Sequence, residues 1–183
     1  MRNQPSKASM ILALACAGAA AASCVRVEAD IPEAEVTQKA VKFQGVPGGG
    51  QLGEVSTTQS FTLTADDMSW AKDLNSDVYA YEVEIKTVGA VQDLSFIHYA
   101  HVSMSSGAED STAPAVAVVD YERPADAVAS PVITAKTLVP INVTEVWAQK
   151  KVVITMNLVG VFPEEDWSAD VTLHMSGKIS YKL

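Results

Sequence analysis

Cysteine is nearly absent from this chain, and what there is sits at one end: Cys16 and Cys24 both fall within the first 24 of 183 residues. No disulfide can therefore form inside the rest of the chain, which must be stable through its core alone. Long apolar runs are also missing. The most apolar uninterrupted stretch, residues 10–22, falls short of the ~20 residues that a membrane-spanning helix needs. Positive charge is scarce, at 13 basic against 22 acidic residues. Arg2 and Lys7 precede Cys24 and no acidic residue does, so the part that follows carries 11 basic and 22 acidic groups. That balance opposes nucleic-acid binding, which rests on neutralising phosphates, and opposes electrostatic docking on anionic lipid. No Gly-x-Ser-x-Gly elbow, Walker loop or dinucleotide fingerprint is present. No catalytic, cofactor-binding or metal-ligating residue is assigned.

The beginning of the chain reads as an export signal. A positive start (Arg2, Lys7) leads into the apolar run of residues 10–22, which ends at Ser23-Cys24 where charge appears at once with Arg26, Glu28 and Asp30. Ala21 and Ser23 would serve an ordinary secretory cleavage. Ala21-Ala22-Ser23-Cys24 also resembles a lipobox, in which the cysteine becomes the first residue and carries lipid; Leu is usual where Ala21 stands, and Cys16 is a rival acceptor that would leave a very short apolar region. We read residues 1–23 as a lipoprotein signal peptide and Cys24 as the lipidation site. Lipidation accounts for the single cysteine left after cleavage. One acyl chain binds a membrane only marginally, so anchoring calls for two or more, as a diacylglyceryl group with an amide-linked palmitate-type chain supplies. Val25, rather than Asp, in second place favours the outer membrane.

Residues 24–33 read as a tether and 34–183 as one domain. The body alternates like strands. Segments 35–43, 60–64, 78–88, 94–104, 115–121, 132–139, 151–162 and 171–183 each carry β-formers or a period of two. The clearest is the last, where Val171, Leu173, Met175, Gly177, Ile179 and Tyr181 alternate with polar residues. In 78–88 the same logic puts Tyr79, Tyr81, Val83 and Ile85 on one face. Segment 115–121 is apolar on both faces and reads as buried, 151–162 as central, and 132–139 as an edge before Pro140. Short helical turns are expected after Thr64, with Met68, Ala71 and Leu74 inward, and at Asn142, whose side chain can cap. Seven to eight short antiparallel strands argue an all-β sandwich, immunoglobulin-like in size and spacing, with the topology open and a β-barrel as runner-up.

Weaker constellations compete with bland readings. His98 and His101 form a His-x-x-His pair, but positions three apart on a strand face opposite ways and cannot close on one metal without a bulge. His174 falls on the polar face of the last strand. Glu164-Glu165-Asp166 and Asp66-Asp67 could attract calcium but lack the spaced loop pattern. Trp70, Trp147 and Trp167 could make a binding platform or pack at the core rim. Gly48-Gly49-Gly50 reads as a flexible loop.

Three stretches carry a resemblance: Val36-Thr37-Gln38-Lys39 through Gly45-Val46-Pro47, Asp93-Leu94-Ser95-Phe96-Ile97, and Val161-Phe162-Pro163-Glu164-Glu165-Asp166-Trp167. In these the chain resembles a family of small, functionally uncharacterised lipoproteins of δ-proteobacterial type. The resemblance implies an envelope lipoprotein and carries over no activity and no functional residue. The expectation is a non-enzymatic binding or structural module in the cell envelope. It is held to the membrane through lipid, with an envelope protein or glycan as partner and no nucleic acid. The alternatives are an apolar-ligand carrier, with room near Ala80, Gly160 and Gly177, and a hydrolase with dispersed residues among His98, His101 and His174.

Overall fold

The computed structural model describes residues 26–64, 76–89 and 91–182. Eight strands follow one another: β1 (Arg26–Phe43), β2 (Val55–Thr64), β3 (Ser76–Val88), β4 (Ile97–Ser106), β5 (Val116–Glu122), β6 (Val132–Asn142), β7 (Lys151–Gly160) and β8 (Trp167–Lys182). A short helix α1 (Thr144–Trp147) precedes β7, and Gly49–Gln51 forms a 3₁₀ turn. The strands make two antiparallel sheets, ordered β1-β8-β3-β6 and β2-β7-β4-β5. The expected β-sandwich is what forms, and its strand order is that of a jelly roll.

The two central strands explain the core. On β8, Val171, Leu173 and Met175 are fully buried, and on β7 so are Val152, Ile154, Met156 and Leu158. Each contributes roughly 1.5–3 kcal/mol by leaving water. Among the described residues no polar or charged side chain is buried. The odd-numbered face of β8 is the inward one, as its alternation requires, and β7 is central.

Where strict alternation fails, a bulge is the cause. An extra residue in one strand turns the side chains beyond it to the other face. On β3 the register with both β6 and β8 shifts between Ala80 and Glu82. Val78 and Ala80 before the bulge and Val83 and Ile85 after it are therefore buried, so Tyr79 and Tyr81 both lie away from the face they were expected to share with Val83 and Ile85. On β4 the register with β7 shifts between Ile97 and Tyr99, and His98 is the added residue. On β5 a shift opposite Val102 and Ser103 lets Val118 and Val119 both be buried. The double-sided apolar pattern of that segment is therefore a bulge in an edge strand, not the mark of a central one.

β1 also reaches further back than expected. Its ladder with β8 begins at Arg26↔Lys182 and passes through Ile31↔Gly177, so the stretch read as a tether is strand from residue 26 onward. The alternation Arg26-Val27-Glu28-Ala29-Asp30-Ile31 carried this signal beneath its charges. At Asn142, the Oδ1 atom accepts a hydrogen bond from the Thr144 N–H at 3.0 Å, which opens the expected helical turn. The turn expected after Thr64 lies outside the described residues.

Topology sorts the connections onto two ends. Loops 44–54, 89–96, 123–131 and 161–166 gather where Phe43, Val88, Gly160 and Val132 lie. Segments 107–115 and 143–150 lie at the opposite end, with Arg26 and Lys182. Gly160 closes the strand layer beneath the four-loop end. A Cβ there would stand 1.9 Å from the Phe96 carbonyl oxygen, so its role is close backbone approach. Gly53 has open space but a φ of 76°. Gly160→Ala is expected to cost about 3 kcal/mol, the range of a backbone clash in a packed layer. Gly53→Ala should cost about 1 kcal/mol, from left-handed strain alone. Urea denaturation of the two variants checks the ordering.

Candidate functional site

The four-loop end is held together by stacked aromatic rings and by hydrogen bonds between its loops. Phe43 stacks on Trp167, with ring centroids 4.0 Å apart and planes at 9°. Phe96 meets Trp167 edge-on at 5.1 Å and Phe162 at 5.7 Å. Such aromatic pairs add about 0.5–1.5 kcal/mol each beyond burial. Above them the loops are joined by backbone. The Val46 N–H donates to the Pro163 carbonyl at 2.9 Å, and the Val161 N–H to that of Phe96 at 2.9 Å. Leu94 N–H donates to Ser130 at 2.8 Å, and Arg123 clamps two loops by donating to the carbonyls of Ser95 and Ala127. The glycine-rich loop belongs to this lock. Gly45 donates its N–H to Asp166 Oδ1 at 2.9 Å, and a Cβ on it would strike the Glu164 backbone at 2.0 Å. Residues 43–47, 93–97 and 161–167 all meet here.

The histidines take three positions. The β4 bulge supplies the condition that the His-x-x-His pair needed to share a face, yet each ring goes to its own carboxylate. His98 Nδ1 pairs with Glu54, and His101 Nδ1 lies 2.7 Å from Asp120 Oδ1. His174 sits on the outer face of the other sheet, 3.5 Å from Glu35 and 3.8 Å from Glu82. Both outer faces thus carry a polar row straight across four strands. One is Glu35–His174–Glu82–Lys136 and the other Thr58–Asn157–His101–Asp120. Lys136 closes the first row on Glu82 at 3.2 Å. Among the described residues no three histidine, cysteine or acidic side chains converge as a metal site would require. Each of the three histidines has a carboxylate beside it, and His174 has two, all on outer faces.

The remaining candidates separate. Trp147 and Trp167 are buried, 5% and 4% exposed, at opposite ends of the sandwich, and so share no platform; Trp70 lies outside the described residues. Glu164, Glu165 and Asp166 are exposed, with Asp166 engaged by Gly45; Asp66 and Asp67 lie outside the described residues, as does Cys24. The sequence also holds one Ser-x-x-Lys spacing, Ser69 to Lys72, and it too lies outside the described residues. Sequence reasoning missed one surface. Between the edge strands β5 and β6 runs a groove of about 540 Å3, walled in part by Leu138 and Val139, which are 103% and 70% exposed. Pro140 marked this strand as an edge, and β6 is the edge of its sheet; the exposed run Leu138-Val139 was the signal of the groove.

Asp120 joins two partners on the outer face of β4 and β5. The Tyr99 hydroxyl donates to it at 2.6 Å, and His101 pairs with the same oxygen. These contacts, Tyr99 first, hold its carboxyl below the usual carboxylate range, and the same bond raises the Tyr99 hydroxyl above its ordinary value. A lowered carboxyl stabilises the fold above its unfolded value, near 4, and loses that contribution as pH falls through its folded value. A raised hydroxyl stabilises below about 10 and loses its part as pH rises through its folded value. Asp120 is well exposed, so solvent screening keeps its share under about 1 kcal/mol. Asp120→Asn should lower stability by that small amount between about pH 5 and pH 9, with the gap closing below about pH 4. Urea titrations at pH 3, 7 and 9 read it directly.

No family model matches the sequence, and no curated protein matches it. Among solved structures, the decameric BFDV capsid protein is 11% identical over 85% of this chain and 99% of that one, at a TM-score of 0.37. A protein of the infectious bursal disease virus Gx strain is 16% identical over 86% of this chain, at a TM-score of 0.33. This chain spans only 36% of that protein's length. A chain of the semi-empty VLP of the giant freshwater prawn Macrobrachium rosenbergii nodavirus is 8% identical over 100% of this chain and 95% of that one, at a TM-score of 0.29. The fold assignment rests on the strand order itself: two antiparallel sheets in jelly-roll succession.

Proposed function

We propose that this protein is a lipid-anchored module of the bacterial cell envelope, outer membrane favoured, without catalytic activity. In this reading it holds its four-loop end toward an envelope protein or glycan. The observation that carries this is the position of β1. Its first ladder residue, Arg26, lies two residues after Cys24, at the end of the sandwich opposite loops 44–54, 89–96, 123–131 and 161–166. Two residues reach at most about 7 Å. Lipid on Cys24 would therefore seat the Arg26 end close to the bilayer and turn the rigid loop end outward. The acidic charge of the chain gives no attraction to anionic lipid, so attachment would depend on the acyl chains.

Against the hydrolase alternative, the three histidines lie on outer faces of two different sheets. Against the carrier alternative, the small strand residues serve packing: Ala80 is fully buried and Gly160 abuts Phe96. Mass spectrometry of the purified N-terminal peptide is expected to show Cys24 as the first residue, heavier by a diacylglyceryl group and an acyl chain. Cys24→Ala should move the protein from the membrane to the soluble fraction. An unmodified peptide starting at Cys24, or one that retains Ser23, would overturn the anchor.

A further inference from the structure

We infer that the open edge between β5 and β6 is a self-docking surface, occupied by the same edge of a second copy. β6 leaves its ladder with β3 between Lys136 and Ile141, which pair with Glu82 and Ala80. Residues 137–140 thus loop out opposite Tyr81 alone. The excursion pushes Leu138 fully into solvent and Val139 most of the way. They form one wall of the 540 Å3 groove, whose other walls include Ala117, Val118 and Ile141. A projecting apolar knob and an apolar hollow on one patch are what a two-fold contact needs, since each copy then offers both halves of the fit.

Charge selects the same face. Two copies of a chain with 22 acidic residues repel over most approaches. Among the described residues Asp120 is the only charged one lining this groove, and its carboxylate is already bound by Tyr99 and His101. Pro140 offers no N–H, which blocks simple continuation of the sheet and leaves side-chain packing as the contact. The area fixes how strong the contact is. Leu138, Val139 and their hollow on both copies bury on the order of 600 Å2, about half of what a stable interface in solution requires. Pairing therefore needs confinement, which a shared membrane supplies by raising effective concentration. In this respect the inference rests on the proposed lipid anchor. Two copies standing in one bilayer are related by an axis along its normal. Their β6 strands then run parallel, which again favours knob-in-hollow packing over an antiparallel ladder.

The test uses the full chain in its native membrane. Leu138→Cys is expected to give a disulfide-linked dimer under mild oxidation at least tenfold faster than Leu52→Cys, an exposed position on the four-loop end. Adding Val139→Asp to the Leu138→Cys chain should suppress the link. A membrane-bound Leu138→Cys protein that links no faster than Leu52→Cys would overturn self-docking and leave the anchor standing. If the protein instead proves soluble, sedimentation at several hundred micromolar decides. Weak dimerisation abolished by Leu138→Asp, with an unchanged circular dichroism spectrum, supports the surface; identical sedimentation of the two forms overturns it.

Discussion

The pairing of the first strand with the last is the constraint on which this structure depends. β8 is central in its sheet, flanked by β1 and β3, and its ladder with β1 runs from Arg26↔Lys182 to Phe43↔Trp167. The inward face of that strand supplies Val171, Leu173 and Met175 to a core that has no disulfide behind it. A cooperative unit of this kind cannot close until β8 is in place, because β8 bridges β1 and β3. The same pairing decides geography. It places the beginning and the end of the folded body at one end, and it sends four of the connecting loops to the other.

From that arrangement the surface divides into three kinds. The outer faces carry the polar rows and the three histidines, each beside a carboxylate, and His174 Nε2 is shielded from water there without a hydrogen bond. The four-loop end is rigid, locked by the Phe43–Trp167 stack, the Arg123 clamp and the contacts of Gly45 with the 163–166 turn. The β5–β6 edge leaves Leu138 and Val139 in water, and the four-loop end does the same with Leu52 and Val128. An exposed edge is normally an aggregation hazard, and here a bulge and a proline shape it.

Much of the fold was legible because burial on one face enforces a period of two. The eight strands were each anticipated in part, and the central place of β7 and the inward face of β8 followed from composition alone. The bulges were not legible. One added residue at Tyr81, at His98 or at Val118 has no signature of its own, since it depends on where the partner strand stops pairing. The bulges decide what a site search sees: whether Tyr81 joins the core or joins His174 outside, and whether the two β4 histidines share a face. The connectivity was hidden for a related reason. Strand order depends on contacts between residues as distant in sequence as Arg26 and Lys182, and local patterning says nothing about them. The charged start of β1 concealed its strand character, so a leash was expected where the ladder begins.

The central claim is orientation: a sandwich seated on its lipid by the Arg26 end with its four-loop end outward. A strand of sixteen residues such as β8 spans about 50 Å at ~3.3 Å per residue. Quenching of a single fluorophore by spin-labelled lipid headgroups, with the lipidated protein in vesicles, measures this most directly. A label at Lys178, near the anchored end, should be strongly quenched, and a label at Leu52, on the four-loop end, should be nearly unaffected. Equal quenching at the two positions, or stronger quenching at Leu52, would contradict the account.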